Sequence, residues 1–339
     1  MKTHTTSTTL TVAALALACL FAASHAQAGD GKPLRFSKLP HKATFIYGDN
    51  LVTRAPEETG ATMFAAMQTP KQRADGLSAV MVTPNGTQYE AKVSEEDLAL
   101  FERAIADMER LGIRPDAFSQ SPKIPVLRGS ESGFFPTVVI GADNRVQITN
   151  TVASPYWYIG RIAIGCTGTL ITPKHVLTAG HCVSNGSGTW YSSLNFTVAQ
   201  NGTYQPWGTA TWARALTTSA WHNNRDTNYD YGMIVLNSAP NGGNAGWGTY
   251  SGGTHTITGY PGDKPTGTMW THSGSVSTSG SFRLCYTIDT AGGQSGSGIY
   301  DSGNVVRGVH TTGSSTQNCG TRLTTTVYNT LQNWITTYP

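Results

Sequence analysis

Charged residues are scarce in this chain of 339 residues. Asp, Glu, Lys and Arg together make up 13% of it, and the formal net charge is only +3. A nucleic-acid-binding surface needs a concentrated excess of Lys and Arg, so this class of function is not expected. The chain also lacks an uninterrupted run of 18 apolar residues, which argues against a membrane-spanning helix. Low charge is the opposite of the usual disordered composition. The sequence therefore predicts a folded protein that binds neither nucleic acid nor membrane.

Glutamate is missing from most of the chain. All eight Glu residues lie between Glu57 and Glu131, and the last 208 residues contain none. The stretch 29–137 has 13 Lys and Arg, 14 Asp and Glu, and no Trp, whereas 138–339 has 9 Lys and Arg, 6 Asp and all eight Trp. We interpret 29–137 as a pro-segment ahead of a compact domain at 138–339. An ordinary N-terminal domain is the alternative.

The first 28 residues have the pattern of a secretory signal peptide. Lys2 precedes an apolar stretch, 10–23, that is too short to span a bilayer comfortably. The small residues of Ala26-Gln27-Ala28 then favour cleavage after Ala28. Cys19 lies inside the apolar stretch and would be removed with it. The sequence thus predicts a secreted protein.

Four cysteines remain after that cleavage: Cys166, Cys182, Cys285 and Cys319. An even number in an exported protein favours two disulfides. Three pairings are possible, and we favour the nearest-neighbour one, which joins Cys166 to Cys182 and Cys285 to Cys319. The chain contains neither CxxC nor HExxH, so no metal site is predicted. No cofactor is expected. Calcium binding stays open for a secreted protein, but no acidic loop in this chain has EF-hand spacing.

The two regions also differ in predicted secondary structure. In the front region, Ser94-Glu95-Glu96-Asp97 resembles a capping box and precedes apolar residues at helical spacing, which end before Gly112. The second region alternates Gly-, Asn- and Ser-rich turns with β-rich runs at Tyr156–Ile164, Thr169–Ile171 and Gly232–Leu236. This spacing is typical of an all-β barrel or sandwich. A C-terminal helix is predicted from the spacing of Val327, Leu331, Trp334 and Ile335.

Three short motifs contain candidate catalytic residues. They are Leu177–Cys182 around His181, Asn228–Gly232 around Asp230, and Gly292–Gly298 around Ser295. A serine hydroxyl is a weak nucleophile, so it needs an imidazole to accept its proton and a carboxylate to orient that imidazole. Flanking glycines allow a tight turn whose N–H groups can face a developing oxyanion. Each motif is weak alone, but their order, His, Asp, Ser, is typical of one type of serine protease.

Residues 138–339 resemble the chymotrypsin-like serine proteases. The resemblance implies two Greek-key β-barrels, at about 145–245 and 250–325, with the catalytic cleft between them. It also implies that Ser295 is the nucleophile, His181 the general base and acid, and Asp230 the residue that orients His181. The N–H groups of Gly293 and Ser295 would form the oxyanion hole. A disulfide ending at Cys182 would clamp the loop that carries His181.

A narrower resemblance connects the chain to the secreted bacterial glutamyl endopeptidases. It rests on Gly-Gln-Ser-Gly-Ser around Ser295, on the motifs at 229–232 and 259–265, and on Gly308-Val309-His310-Thr311. The resemblance implies cleavage after Glu, and less so after Asp. It assigns His310, with the hydroxyls of Thr290 and Thr311, to binding the substrate carboxylate, which imidazole and hydroxyl donors can satisfy.

Two other functions stay open. Asp289 lies six residues before Ser295, where trypsins carry the pocket Asp, so cleavage after Lys or Arg is the enzymatic alternative. Against it, His310 would crowd a basic side chain, and a domain without Glu cannot digest itself after Glu. A non-catalytic secreted binding protein on the same fold is the second alternative, which the complete His181, Asp230 and Ser295 set disfavours.

Maturation is expected to differ from that of trypsins. Gln294 stands where trypsins have the Asp that pairs with the new N-terminal ammonium. The mature chain is expected to begin near Val138 or Val139, where Val-Ile-Gly resembles the family's N-terminus, or first at Ser132 after self-cleavage behind Glu131. The expected partners are polypeptide substrates and the chain's own pro-segment, and a monomer is expected.

Overall fold

The computed structural model describes residues 35–52, 69–122 and 139–339. The expected signal peptide at 1–28 lies outside these ranges, as do Glu131, Ser132 and Val138 of the expected maturation region. Among the described residues, none of the helices combines the length and the apolar character needed to cross a membrane.

The front region is a small α+β unit. Its elements are β1 (Ser37–Lys38), β2 (Phe45–Ile46), α1 (Pro70–Leu77), β3 (Ala79–Val82), β4 (Gln88–Ala91), α2 (Glu95–Arg110) and β5 (Asp116–Ala117). The prediction for α2 is confirmed: the Ser94 hydroxyl accepts the N–H of Asp97 at 3.0 Å, which caps the helix. After α2 the chain turns at Gly112, whose φ of +68° suits glycine.

The next part of the chain, 146–248, contains a first β-barrel. The elements of this stretch are β6 (Val146–Ile148), β7 (Ile159–Ile162), β8 (Cys166–Leu170), β9 (His175–Thr178), β10 (Trp190–Tyr191), β11 (Phe196–Val198), β12 (Trp212–Thr218), α3 (Ser219–Asn224), β13 (Gly232–Leu236) and β14 (Gly246–Gly248). The antiparallel order is β12-β13-β9-β8-β7-β11. Hydrogen bonds in both directions between Phe196 and Ala210 join β11 to the chain just before β12, which closes the barrel.

A second barrel follows. Its elements are β15 (Thr254–Gly259), β16 (Met269–Ser279), β17 (Arg283–Tyr286), β18 (Gly298–Asp301), β19 (Val305–Gly313), β20 (Asn318–Arg322) and α4 (Thr325–Thr337). Strand β18 pairs with both β15 and β19, so the order β15-β16-β17-β20-β19-β18 closes on itself. The predicted all-β architecture is confirmed, and so is the C-terminal helix, whose buried face includes Val327, Leu331 and Trp334.

Two local predictions were wrong. Tyr156–Tyr158 forms a 3-10 turn rather than the start of a strand, because its first N–H bonds back to Ala153 and the chain becomes extended only at Ile159. Strand β6 does not belong to the first barrel, although it lies inside the predicted range 145–245. It pairs with β16, with Ile148 opposite Met269, so it extends the second sheet. A local sequence pattern does not show which distant segments of the chain will pair.

The front region is built onto the edges of the two barrels. Strand β3 pairs antiparallel with β12, and β4 and β1 continue the sheet outward. Strand β2 pairs with β10, and β5 pairs with β14. Arg307 on β19 forms an ion pair with Asp116 of β5. Gly76 packs closely on Tyr229, since a Cβ at Gly76 would meet the tyrosine ring at 2.1 Å. The front region thus shares hydrogen-bonded sheets with the barrels that follow it.

Candidate active site

His181 and Asp230 meet because β9 and β13 are neighbours. Gly232 at the start of β13 pairs with Thr178 at the end of β9, so the turn before β13 and the turn after β9 lie side by side. The Asp230 carboxylate accepts the backbone N–H of His181 at 2.8 Å, and its second oxygen lies 2.8 Å from His181 Nδ1. Asp230 is fully buried. A buried carboxylate held in this way favours the tautomer with its proton on Nδ1, which leaves Nε2 free to accept a proton.

Ser295 lies in a tight turn between β17 and β18. Its carbonyl accepts the N–H of Thr167 on β8, at 2.8 Å, which fixes the turn against the first barrel. Gly293 and Gly296 have φ values of +97° and +86°. A Cβ at Gly296 would meet the Thr167 carbonyl at 2.2 Å, and one at Gly293 would meet the Tyr260 carbonyl at 2.5 Å. Both glycines are therefore required for the conformation that presents Ser295.

Two disulfides stabilise the site from either side. Cys166 of β8 is bonded to Cys182, the residue directly after His181, and Cys285 of β17 is bonded to Cys319 of β20. The nearest-neighbour pairing is confirmed. The first bond ties the turn of His181 to the strand whose Thr167 holds the Ser295 turn, so the two turns share one support.

Ser295 Oγ and His181 Nε2 are both buried, and neither makes a hydrogen bond to a described residue. The expected hydrogen bond between Ser295 Oγ and His181 Nε2 is therefore not formed in this structure. The backbone N–H groups of Gly293 and Ser295 likewise have no acceptor among the described residues. An oxyanion between these two donors would be stabilised by both.

His310 lies on β19, beside the Ser295 turn. The N–H of Gly296 donates to its carbonyl at 2.8 Å, and its own N–H donates to the Ser297 carbonyl at 2.9 Å. The ring is buried, and Nδ1 is 2.7 Å from the hydroxyl of Tyr286. Burial, with smaller contributions from His181 and Arg283, lowers the pKa of His310 to about 3. The ring is therefore a neutral hydrogen-bonding group.

Both residues with predicted substrate-binding hydroxyls are buried. Thr311 follows it on β19 and accepts a hydrogen bond from Arg283 Nη1 at 2.9 Å. Thr290 is buried at the approach to the Ser295 turn. The structure thus places His310 beside the Ser295 turn, whereas the Thr311 hydroxyl is bonded to Arg283, which also donates to the Thr227 carbonyl just before Asp230.

The Asp289 carboxylate accepts hydrogen bonds from other residues of the chain. One carboxylate oxygen accepts the N–H of Ile140 at 3.0 Å. The other accepts the backbone N–H of Asn144 at 2.9 Å and its side-chain amide at 3.2 Å. His272 Nδ1 lies 3.3 Å from the same oxygen. Asp289 is almost fully buried, so its role in this structure is to anchor residues 140–144.

A buried ionic network beside the Ser295 turn was not predicted. Arg145 pairs with Asp143 at 2.9 Å and with Asp263 at 2.5 Å, and Lys264 adds a contact to Asp143 at 2.8 Å. Hydrogen bonding to Arg145 holds the pKa of Asp143 well below its usual range. Arg145 also reaches Gln294, the neighbour of Ser295, at 3.4 Å. The available signal was the Gly-Asp-Lys-Pro motif at 262–265, whose charged residues had no assigned role.

The described residues offer a poor metal site. The one group of potential ligands that they bring together is Cys166, His181 and Cys182. Both sulfurs are in the disulfide, so they cannot act as thiolate ligands. His175, His222 and His255, for which no role was predicted, are buried, and hydrogen bonds join their rings to Thr172, Ser184 and the Gly253 carbonyl.

Comparison with known proteins agrees with this geometry. The family described as Trypsin matches residues 145–335. A glutamyl endopeptidase of Bacillus licheniformis is 37% identical over 269 residues, which cover 73% of this chain and 82% of that protein. A protein named extracellular metalloprotease, from Bacillus subtilis strain 168, is 37% identical over 220 residues, or 59% of this chain and 70% of that one.

Among solved structures, one described as Glu endopeptidase in complex with MPD is 33% identical, with a TM-score of 0.53. The match covers 57% of this chain and 98% of that one. With a family match over more than half of its length, two closed barrels and a buried His181–Asp230 pair, this chain belongs to the trypsin family of serine peptidases.

Proposed function

We propose that this protein is a secreted serine endopeptidase that hydrolyses peptide bonds after Glu, and less readily after Asp. The observation that carries the proposal is the wall beside the Ser295 turn, where buried His310 offers a neutral hydrogen-bonding ring and the Asp289 carboxylate is already bonded to Ile140 and Asn144. The named glutamyl endopeptidases among its relatives support the same specificity.

The proposed reaction passes through an acyl-enzyme. Ser295 Oγ attacks the carbonyl carbon while His181 Nε2 accepts its proton, and Asp230 stabilises the imidazolium that forms. The N–H groups of Gly293 and Ser295 bind the oxyanion. His181 then gives its proton to the leaving amine, and a water molecule repeats the sequence to release the acid. Nucleophile, base and orienting carboxylate all come from the chain, so the proposed reaction needs no cofactor.

A panel of peptides that differ only in the residue before the scissile bond tests this specificity. We expect the highest kcat/KM for Glu, a lower value for Asp and much lower values for Gln, Lys and Arg. Higher values for Lys or Arg than for Glu would overturn the proposal. The Ser295→Ala protein serves as the control for contaminating proteases.

Cleavage after Lys or Arg is the less favoured alternative. Its main support was Asp289, but that carboxylate already accepts hydrogen bonds from Ile140 and Asn144. A non-catalytic binding role is disfavoured because the Asp230 carboxylate still orients His181 through two contacts. A Ser295→Ala protein that kept its full biological effect would favour the binding role.

We also propose that residues 29–137 are a pro-segment that partners the catalytic domain until it is removed near Val138 or Val139, or first behind Glu131. The docking of β3 on β12 supports a partner role, because strand pairing of this kind holds a segment in place without a large core. N-terminal sequencing of the protein from the culture medium tests secretion and maturation together. A start upstream of Glu131 would contradict both maturation routes. The mature enzyme is proposed to be a monomer.

A further inference from the structure

The peptide bond between Gly292 and Gly293 is held by a contact from a neighbouring loop. The Gly292 carbonyl accepts the N–H of Gly262 at 2.6 Å. In a planar trans peptide the C=O and the N–H point in opposite directions, so the N–H of Gly293 is directed away from Gly262. That N–H is one of the two expected oxyanion donors. The contact with Gly262 therefore sets the direction of an expected oxyanion donor.

The two residues of this peptide bond offer little resistance to its rotation. Reversing the peptide changes ψ of Gly292 and φ of Gly293, and a glycine adopts many values of both angles. Gly293 already has a φ of +97°. In the reversed orientation the Gly292 carbonyl would point to the place where the oxyanion forms, and the two negative oxygens would repel each other. The productive orientation therefore depends on contacts from outside the turn.

The loop 260–263 makes these contacts on both sides of Gly293. A Cβ on Gly293 would lie 2.5 Å from the Tyr260 carbonyl and 2.9 Å from the nitrogen of Gly262, so loop and turn are closely packed. The Tyr260 N–H donates to Thr167 Oγ1 at 3.0 Å, and that hydroxyl donates to the Gly293 carbonyl at 2.8 Å. The loop thus supports the turn through Gly262 on one side and through Thr167 on the other.

The loop itself is fixed by the ion pair of Asp263, the residue directly after Gly262. The Asp263 carboxylate accepts Nη1 of Arg145 at 3.0 Å and Nη2 at 2.5 Å. The side chain of Arg145 is fully buried, and that of Asp263 is 3% exposed. A bidentate pair between a guanidinium and a carboxylate fixes the orientation of both groups. Arg145 therefore determines where the loop places the N–H of Gly262.

The same guanidinium also contacts the Ser295 turn. Nη1 of Arg145 lies 3.4 Å from Gln294 Oε1, which also accepts the N–H of Ala291 at 2.9 Å. The backbone N–H of Gln294 returns a bond to the Ala291 carbonyl at 2.9 Å, and Gln294 is fully buried. One buried cation thus contacts both the loop that supports the turn and a side chain that closes the turn.

We propose that Arg145 and Asp263 are positioning residues for the oxyanion hole. Their ion pair holds Gly262 where its N–H keeps the N–H of Gly293 directed at the substrate. This inference rests on the serine peptidase reaction of the proposed function, but not on the preference for Glu. Both residues act through the N–H of Gly262, so they are not catalytic residues themselves.

The first test is the Asp263→Asn variant, which keeps the size of the side chain and removes the ion pair. We expect kcat for the best peptide to fall about 10- to 100-fold while KM stays nearly unchanged, because oxyanion donors act in the transition state. Rates are normalised by titration with an active-site serine reagent, so unfolded protein does not count. A folded Asp263→Asn protein with the wild-type kcat would overturn the proposal.

Asp301→Asn is the matched control. It removes another Asp–Arg ion pair of the second barrel, the 2.7 Å contact between Asp301 and Arg307. This pair lies at the far end of β18, so kcat should stay at the wild-type value. An equal loss of kcat in both variants would mean that any broken ion pair slows the enzyme, and the specific role of Asp263 would be wrong.

The second test separates the oxyanion from the rest of the substrate. With a peptide aldehyde, Ser295 Oγ adds to the aldehyde carbon, its proton passes to His181, and the aldehyde oxygen becomes an oxyanion. The matching peptide acid, a product of cleavage, binds without this step. We expect Asp263→Asn to weaken inhibition by the aldehyde about 10- to 100-fold and leave the peptide acid nearly unaffected. Equal losses for both would contradict the proposal.

The third test needs no substitution in the network. Gly262 is exposed at the surface, so slow exchange of its amide hydrogen would report its hydrogen bond rather than burial. In the Ser295→Ala protein, NMR should show this amide exchanging about 10-fold more slowly than an unstructured one, or slower still. Exchange at the unstructured rate would show that the contact with Gly292 is not maintained in solution, which would overturn the proposal.

The outcomes distinguish this inference from the proposed function. A wild-type protein that hydrolyses none of the peptides would overturn the proposed function. A wild-type protein that hydrolyses them, with unchanged kcat and aldehyde inhibition in Asp263→Asn, would overturn the positioning role alone.

Discussion

The catalytic cluster and the pocket wall are held in different ways. His181 and Asp230 are fixed by direct contact, since one carboxylate holds both the ring and the backbone of the histidine. In the wall, a side chain from β17 orients one on β19, since the hydroxyl of Tyr286 contacts His310 Nδ1 at 2.7 Å. The difference suggests that rate and selectivity are separable in this protein. Changes in the first region should slow all substrates alike, while changes in the second should alter the ratio between substrates.

The largest expected effect tests the first half of this comparison. Asp230→Asn keeps the size of the side chain but favours the wrong tautomer of His181, so kcat should fall about 10⁴-fold. The fall should be equal for Glu and Gln peptides. Steady-state kinetics with both peptides measures it, and Asp301→Asn, on the far strand β18, is the control. A change in the Glu-to-Gln ratio would show that the two regions are not separable.

Stability at low pH should respond to both regions. Burial lowers the pKa of His310 in the wall to about 3, and that of His222, on the helix packed behind His181, to about 4. Both rings titrate near 6.5 when unfolded, so the unfolded state binds more protons between about pH 6.5 and 3. The free energy of unfolding should therefore be highest above pH 6.5 and fall by about 3 kcal/mol or more towards pH 4.

Urea unfolding of the Ser295→Ala protein at several pH values measures this dependence without self-digestion. His310→Gln and His222→Gln should each reduce the slope. A stability that does not change between pH 7 and 4 would contradict the assignment of both rings as buried and neutral.

His310→Ala tests the second half of the comparison. Loss of a hydrogen bond to a charged substrate group should lower kcat/KM for the Glu peptide about 10- to 100-fold and leave the Gln peptide nearly unchanged. Reaction of Ser295 with an active-site serine reagent should continue at the wild-type rate. His255→Ala removes a buried histidine from β15 of the same barrel and should leave the peptide ratio intact. Equal losses for both peptides would place His310 with the catalytic cluster.

Asp289→Asn gives the smallest expected effect. The change weakens the anchoring of residues 140–144, so the free energy of unfolding should fall by about 1–2 kcal/mol. Peptides with Lys or Arg should remain poor substrates of both proteins. Denaturant unfolding and the same peptide panel measure the two outcomes. A wild-type enzyme that cleaves after Lys and loses this activity in the variant would mean that Asp289 faces the substrate.

The sequence was informative where chemistry imposes a residue type. The order of His181, Asp230 and Ser295, the glycines beside Ser295 and the helix cap at Ser94 were all predictable, because each needs a specific side chain or backbone freedom. Roles that arise only from long-range packing were not predictable. The anchoring by Asp289, the contacts of Arg283 and the pairing of β6 with β16 depend on which distant segments become neighbours.

The pairing of β3 with β12 also bears on the order of synthesis. Residues 79–91 are synthesised well before 212–218, so the β3–β4 hairpin has time to form before β12 is complete. An isolated hairpin is only marginally stable, yet it offers unpaired backbone groups on which a later strand can grow. Strand β12 then adds to the edge of an existing hairpin, which is faster than a search between two distant unpaired segments. In this view the front region contributes to folding, because its hairpin is the first part of the sheet that the first barrel extends.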